Sequence, residues 1–306
     1  MKNIFALLML FCVTKTVLAQ DNHYLFSYFI GNGEDGLHLA HSTDGLQWKA
    51  LNEGKSFLTP AVGKDKLMRD PSILPAEDGT FHMVWTVSWG EKGIGYSSSK
   101  DLIHWTEQKY IPVMEHETGA KNCWAPELFY DQKSKSYYIF WATTIPGRFA
   151  EGEDQKYNHR LYYVVTKDFQ TFSDTRLFYD HKFSVIDAAI IQHNNTYVMF
   201  LKDETDKPNT PEKNIRMAIS DAPAGPYSPP GKPITGNFWA EGPTPIKIKE
   251  KWFIYFDKYM EHKYGVIVSD DLKTWRDESD KLAMPEGIRH GTAFEVSKHV
   301  VDNLPK

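Results

Sequence analysis

Short apolar runs, five to seven residues long and bounded by Gly, Asp and Asn, fill the chain from Tyr24 onward. They are rich in β-branched and aromatic residues, and runs of that length and composition predict short β-strands. The runs come in sets of three: 70–74, 81–85 and 93–97; 125–129, 137–141 and 160–165; 187–191, 196–200 and 215–219; 242–248, 252–256 and 264–268. Each set ends in the same phrase, a polar turn containing Asp and closed by an aromatic. The turns are Ser99-Lys100-Asp101 with Trp105, Thr166-Lys167-Asp168 with Phe172, the looser Ser220-Asp221 with Tyr227, and Ser269-Asp270-Asp271 with Trp275. A fifth copy stands near the start, Ser42-Thr43-Asp44 with Trp48, so the aromatics are spaced by 57, 67, 55 and 48 residues. A period near fifty filled with short strands predicts a β-propeller, and five repeats predict five blades.

The fifth blade is divided between the ends of the chain. The run 290–296 has the character of an innermost strand without downstream partners, whereas 24–30 and 37–41 are outer strands without an inner one. Joining them closes the ring and removes free sheet edges. The closing aromatics, with Trp85, Trp141 and Trp252 inside the strand runs, are expected to be packing residues.

The first nineteen residues read differently. Lys2, the apolar run 4–13 and Val17-Leu18-Ala19 have the layout of a cleaved signal peptide, leaving 20–306 as a single catalytic propeller domain, secreted or periplasmic. Cys12 follows bulky Phe11, unlike a lipoprotein signal, and the run is short for a membrane span, so no membrane insertion is expected. Without Lys2 and Lys15 the formal charge goes from −5 to −7, which argues against nucleic acid and suits a neutral ligand. Cys123 alone lies outside the leader, which excludes an intrachain disulfide and a Cys-based metal site in the mature chain. A monomer is expected.

The five inner runs each carry an ionisable residue near their start: Asp70, Glu127, Asp187, Glu241 and His290. These groups should converge at one end of the axial channel. Four carboxylates crowded together repel one another, and such clusters are candidate functional sites. Trp89, Trp124, Trp239 and Phe149 flank the same rim. Aromatic platforms beside carboxylates suit sugar rings, whose C–H faces are apolar and whose edges bear hydroxyls.

Five segments carry a resemblance to a known family: Arg69-Asp70-Pro71, Trp124-Ala125-Pro126-Glu127, Val185-Ile186-Asp187-Ala188, Trp239-Ala240-Glu241-Gly242-Pro243-Thr244 and Arg289-His290-Gly291-Thr292. Together they resemble glycoside hydrolase family 43, inverting five-bladed propellers acting on arabinosides, xylosides and related plant glycans. The resemblance covers essentially all of the mature chain, with one departure: about fifty mature residues precede the Asp70-Pro71 strand.

The resemblance implies Asp70 as general base, Glu241 as general acid and Asp187 as the residue that tunes and orients the acid. Inversion requires the two carboxyls ~6.5–9.5 Å apart to admit a water. Glu241 should be raised in pKa by apolar neighbours such as Trp239 and by nearby negative charge. Glu127, Trp124, Trp89, Phe149, Trp239, Arg289 and His290 are expected to bind substrate. His290 also marks where family members hold calcium or water, although a lone histidine is a poor calcium determinant; no other cofactor is expected. The favoured activity is exo-acting α-L-arabinofuranosidase on plant cell-wall oligo- or polysaccharide, ahead of β-xylosidase, exo-galactanase and a non-catalytic carbohydrate-binding propeller.

Overall fold

The computed structural model describes residues 22–306; the leader segment 1–19 lies outside the described residues. Strands β1 (His23–Phe29), β2 (His38–Ser42) and β3 (Lys49–Ala50) come first. The first blade is β4 (Arg69–Pro75), β5 (Phe81–Thr86), β6 (Ile94–Ser99) and β7 (Lys109–Ile111). The second is β8 (Trp124–Asp131), β9 (Ser136–Thr144), β10 (His159–Thr166) and β11 (Arg176–Tyr179). The third has β12 (Val185–His193), β13 (Thr196–Asp203) and β14 (Asn214–Ser220). The fourth is β15 (Glu241–Ile248), β16 (Lys251–Lys258), β17 (Lys263–Ser269) and β18 (Arg276–Asp277). Finally β19 (Arg289–Val296) pairs antiparallel with β1, giving a fifth sheet ordered β19-β1-β2-β3. The inner strands β4, β8, β12, β15 and β19 touch in sequence, and β19 meets β4 to close a five-bladed propeller.

Each blade interface holds its own apolar cluster, and the closing aromatic of each repeat enters the cluster shared with the preceding blade. Trp48 meets Tyr255 edge-on at 5.7 Å, Tyr227 meets Phe178 at 5.4 Å, and Trp275 meets Phe200 at 6.1 Å. The polar turn aims these rings. Asp44 Oδ1 accepts from the backbone N–H groups of Leu46 and Gln47, while Ser42 Oγ accepts from Gly45. Asp101, Asp168 and Asp271 repeat the arrangement with Ser99, Thr166 and Ser269. Trp85 and Trp141 are fully buried and Trp252 nearly so, as expected of core residues.

The short outermost strands β3, β7, β11 and β18 had no clear signal in the sequence. The third blade lacks one because Pro229, Pro230 and Pro233 follow Tyr227, and proline cannot donate to a ladder. Ser228, Gly231 and Ile234 still donate backbone N–H groups to Ile219, Met217 and Ile215, which covers the β14 edge.

Candidate active site

The pairing register breaks at the same place on all five inner strands: 69/72, 124/127, 186/189, 241/244 and, against β1, 289/292. Bulges of this kind bend a strand and re-aim its side chains. Asp70, Ala125 and Asp187, second in their bulges, have φ of 52°, 45° and 51°, and Gly242 has 61°. Non-glycine residues there cost on the order of 1–3 kcal/mol and are tolerated only where the surroundings hold them. Neighbouring blades supply that restraint. Thr86 Oγ1 donates to Asp70 Oδ2 (2.9 Å) and accepts from Ala125 N (2.8 Å), and Gly242 N donates to Asp187 Oδ2 (3.0 Å). At Gly242 a Cβ would lie 2.5 Å from the His290 ring, so only glycine fits.

The bulges place the five polar residues at three different positions along their strands. First positions are Arg69, Trp124, Ile186, Glu241 and Arg289, and second positions are Asp70, Ala125, Asp187, Gly242 and His290. Glu127 is fourth, equivalent to Ser72 and Thr244. Every first-position residue, and every second-position residue bearing a side chain, lines one cavity of about 750 Å³. Glu127 does not line it, so its expected contact with substrate is corrected. It lies deeper, accepting from Ser72 Oγ at 2.6 Å, with Oε1 3.8 Å from His290 Nε2. Two residues further along a strand, the same face points lower into the channel.

The remaining expected contacts divide. Trp89 and Trp124 line the cavity, edge to face at 5.4 Å, and Tyr157 extends the wall at 5.0 Å from Trp124. Phe149 is not in the wall: the Arg160 guanidinium covers its ring at 4.5 Å. Trp239 stands outside the wall, exposed, with its ring 6.0 Å from that of cavity-lining Tyr259. Arg289 lines the cavity, but its guanidinium is committed to Asp257 (2.5 Å) and Glu241 (3.1 Å).

The second strands of the first, third and fourth blades add supporting polar residues that the sequence reading missed. Thr86 pairs with Arg69, Lys202 with Ile186 and Asp257 with Glu241. Their signal was a single polar residue closing an apolar strand run, after Trp85, Leu201 and Phe256. Lys202 matters most. It is buried, with Nζ 3.0 Å from Glu241 Oε2 and 2.7 Å from Glu204 Oε2, and Lys213 bridges Glu204 and Asp206 behind it.

These charges set the protonation states. Burial would raise Asp70, but the hydrogen bond and charge of His290, with help from Arg69 and Thr86, hold it at about 2. Burial would likewise depress His290, yet Asp70 at 3.4 Å, Asp187 and Glu127 lift it to about 10, so it is an imidazolium. Burial raises Asp187 to about 6 and Glu127 to about 7. Glu241 goes the other way: against the effect of burial, Lys202 and then Arg289 pull it below its ordinary value. The expectation of an acid raised by Trp239 and negative charge is therefore corrected. Two cations contact Glu241, while Trp239 stands outside the wall.

A single histidine is a poor ligand for calcium, which prefers oxygen. His290 Nδ1 faces Asp70 at 3.4 Å, its Nε2 is buried without a hydrogen-bond partner 3.8 Å from Glu127, and no group of three or more His, Cys, Asp or Glu is arranged to hold a metal among the described residues.

A family model described as a probable glycosyl hydrolase domain, related to glycoside hydrolase family 43, matches residues 20–302. An α-L-arabinofuranosidase from Bifidobacterium longum subsp. longum is 24% identical over 279 residues, covering 77% of this chain and 26% of that protein. The chain thus spans about a quarter of the curated relative it matches. Among solved structures, the α-L-arabinanase of Cellvibrio cellulosa complexed with arabinohexaose superposes with a TM-score of 0.59 at 14% identity, covering 89% of this chain and 96% of that one. An α-L-arabinofuranosidase from Lactobacillus brevis gives 0.54 at 19% identity, covering 69% and 72%. Both carry the same fold.

Proposed function

Because the chain belongs to the glycosyl hydrolases related to glycoside hydrolase family 43, we propose that it is an inverting, exo-acting glycosidase that releases α-L-arabinofuranosyl units from plant cell-wall glycan. The observation that carries this reading is a pair of carboxylates, Asp70 and Glu241, presented by the bulges of the first and fourth blades into one aromatic-walled cavity. The arabinosidase named among the relatives supports the sugar. Loops 145–158 and 204–213, which bring Lys156, Tyr157, Asp206 and Lys207 to the cavity, favour a walled pocket over an open cleft and so release from chain ends. The signal-like leader fits export from the cytoplasm.

Asp70, ionised at any ordinary pH, takes a proton from a water as that water's oxygen attacks the anomeric carbon. The glycosidic C–O bond breaks, and Glu241 delivers its proton to the departing oxygen. Thr86 and His290 hold Asp70 in place. Lys202 and Arg289 hold Glu241, favouring its ionised form, so activity should be greatest on the acid side of neutrality. A second reading has one observation in its favour: Asp187 also lines the cavity and keeps its proton to about 6, so it could donate in place of Glu241.

The test is sugar release from arabinan, arabinogalactan and arabinoxylan by the wild type, Asp70→Ala, Glu241→Ala and Asp187→Asn, with a nitrophenyl arabinofuranoside alongside. Each of the first two variants should lose ~10²–10⁴-fold on polymer. Glu241→Ala alone should recover on the nitrophenyl substrate, whose leaving group needs no proton. Recovery by Asp187→Asn instead would transfer the acid role. Xylose or galactose in place of arabinose would change the substrate and keep the frame, whereas binding without any release would make the protein a carbohydrate binder.

A further inference from the structure

The chain carries a formal charge of −5, yet its cavity gathers cations: Arg69, Lys156, Lys202, Lys207, Lys213 and Arg289 all line it. Lys202, Lys213 and Arg289 are engaged by Glu204, Glu241, Asp206 and Asp257. Lys156 and Lys207 are different. Both are exposed: Lys156 Nζ lies over the Tyr157 ring at 5.2 Å, and the charge of Lys207 helps to lower the neighbouring Asp206, but neither lysine is closed into an ion pair as Lys202 and Lys213 are. They belong to different blades, Lys156 to loop 145–158 of the second and Lys207 to loop 204–213 of the third. The backbone N–H of Asp206 donates to the buried Gln155 Oε1 at 2.8 Å, clasping the two loops together. The next residue on each side, Lys156 and Lys207, lines the same cavity. Asp206, the nearest carboxylate in sequence, is occupied by the Lys213 ammonium (3.1 Å) and the Lys207 backbone N–H (2.7 Å). Beside this rim stands the Trp124–Tyr157 wall, an apolar face for a sugar ring.

An anion bound between two ammonium groups on one rim is attracted by both and reduces their mutual repulsion. We propose that the glycan this pocket takes carries an anionic substituent, a uronate carboxylate or a sulfate ester, which Lys156 and Lys207 bind while its ring lies along Trp124 and Tyr157. The proposal rests on the glycosidase reading of the cavity and gives it a substrate class: an acidic rather than a neutral glycan.

The experiment is calorimetric titration of the folded protein with matched oligosaccharides, one bearing a uronic acid, its methyl ester, and a sulfated counterpart. It is run on the wild type and on Lys156→Gln/Lys207→Gln, with circular dichroism confirming the fold of the variant. The wild type should prefer an anionic ligand over the ester about tenfold, and the preference should shrink with added salt. In the double variant the ratio should collapse toward one. Preference for the uronate or for the sulfated ligand identifies the source of the anion. Equal affinity for acid and ester in the wild type, or a ratio that survives the double substitution, overturns the proposal. Binding is read without turnover, and release of sugar from the neutral ester is followed separately. An inactive protein that still prefers the anion therefore counts against the hydrolase reading alone.

Discussion

Lys202 shows how one side chain can reverse an expectation drawn from its neighbours. The sequence made Glu241 a candidate acid by its Glu-Gly-Pro setting, and a carboxyl in such a site is ordinarily kept protonated by apolar surroundings. The lysine lies thirty-nine positions away on another blade, and nothing in a linear reading brings its Nζ to 3.0 Å from Glu241. Glu241 is also faced by Arg289 from β19, by Asp187 from β12 and by His290, with Asp257 behind Arg289. In the proposed mechanism protonated Glu241 is the acid, and Lys202 lowers its pKa, so the wild type should lose activity as pH rises through that lowered value. Lys202→Met should move the basic limb of kcat/KM to higher pH, toward or beyond the ordinary glutamate range, while Arg289 still restrains it. A limb that stays put in a folded variant would mean that Glu241 does not set it. Asp70, Asp187 and Glu241 were legible as cavity residues because each begins an inner strand. Glu127 was misplaced because the bulges shift the count, and a bulge leaves no mark in an apolar run.

At the scale of elements, the inner-strand bulges carry the site. A regular strand would alternate its side chains between the two faces of the blade, whereas a bulge with positive φ turns Asp70 and Asp187 into the cavity. The sequence announced the strands themselves well, because β-branched and aromatic runs between turn residues have few other readings. It was silent on the two-residue strands β3 and β18, which are too short to show a pattern. Thr86 joins two bulges by donating to Asp70 and accepting from Ala125, so Thr86→Val leaves a buried N–H without a partner. Loss of that pairing should cost about 1–3 kcal/mol, read as a lower urea midpoint with an unchanged slope. An unaltered midpoint would show that the bulges hold without this bond.

For the whole molecule, closure of the ring makes five small sheets into one cooperative body. β1 pairs with β19 from His23↔Val296 onward, so the innermost strand of the fifth blade comes from the far end of the sequence. The closing aromatics then join neighbouring blades, and their period was the clearest signal in the chain. Trp48 belongs to the fifth blade yet is buried against Phe26 and Tyr255 at its interface with the fourth. Trp48→Ala should cost ~3–5 kcal/mol and lower the calorimetric midpoint by on the order of 10 °C. A change of only a degree or two would mean that the interfaces do not share the load in this way.

The most direct test of the account is the anomeric configuration of the first sugar released, followed by proton NMR before mutarotation scrambles it. Attack by a water that Asp70 activates, with Glu241 protonating the opposite side, predicts inversion: an α-linked arabinofuranoside gives the β-sugar first. Initial appearance of the α-sugar would require a covalent glycosyl-enzyme, and would contradict the assignment of Asp70 as a base.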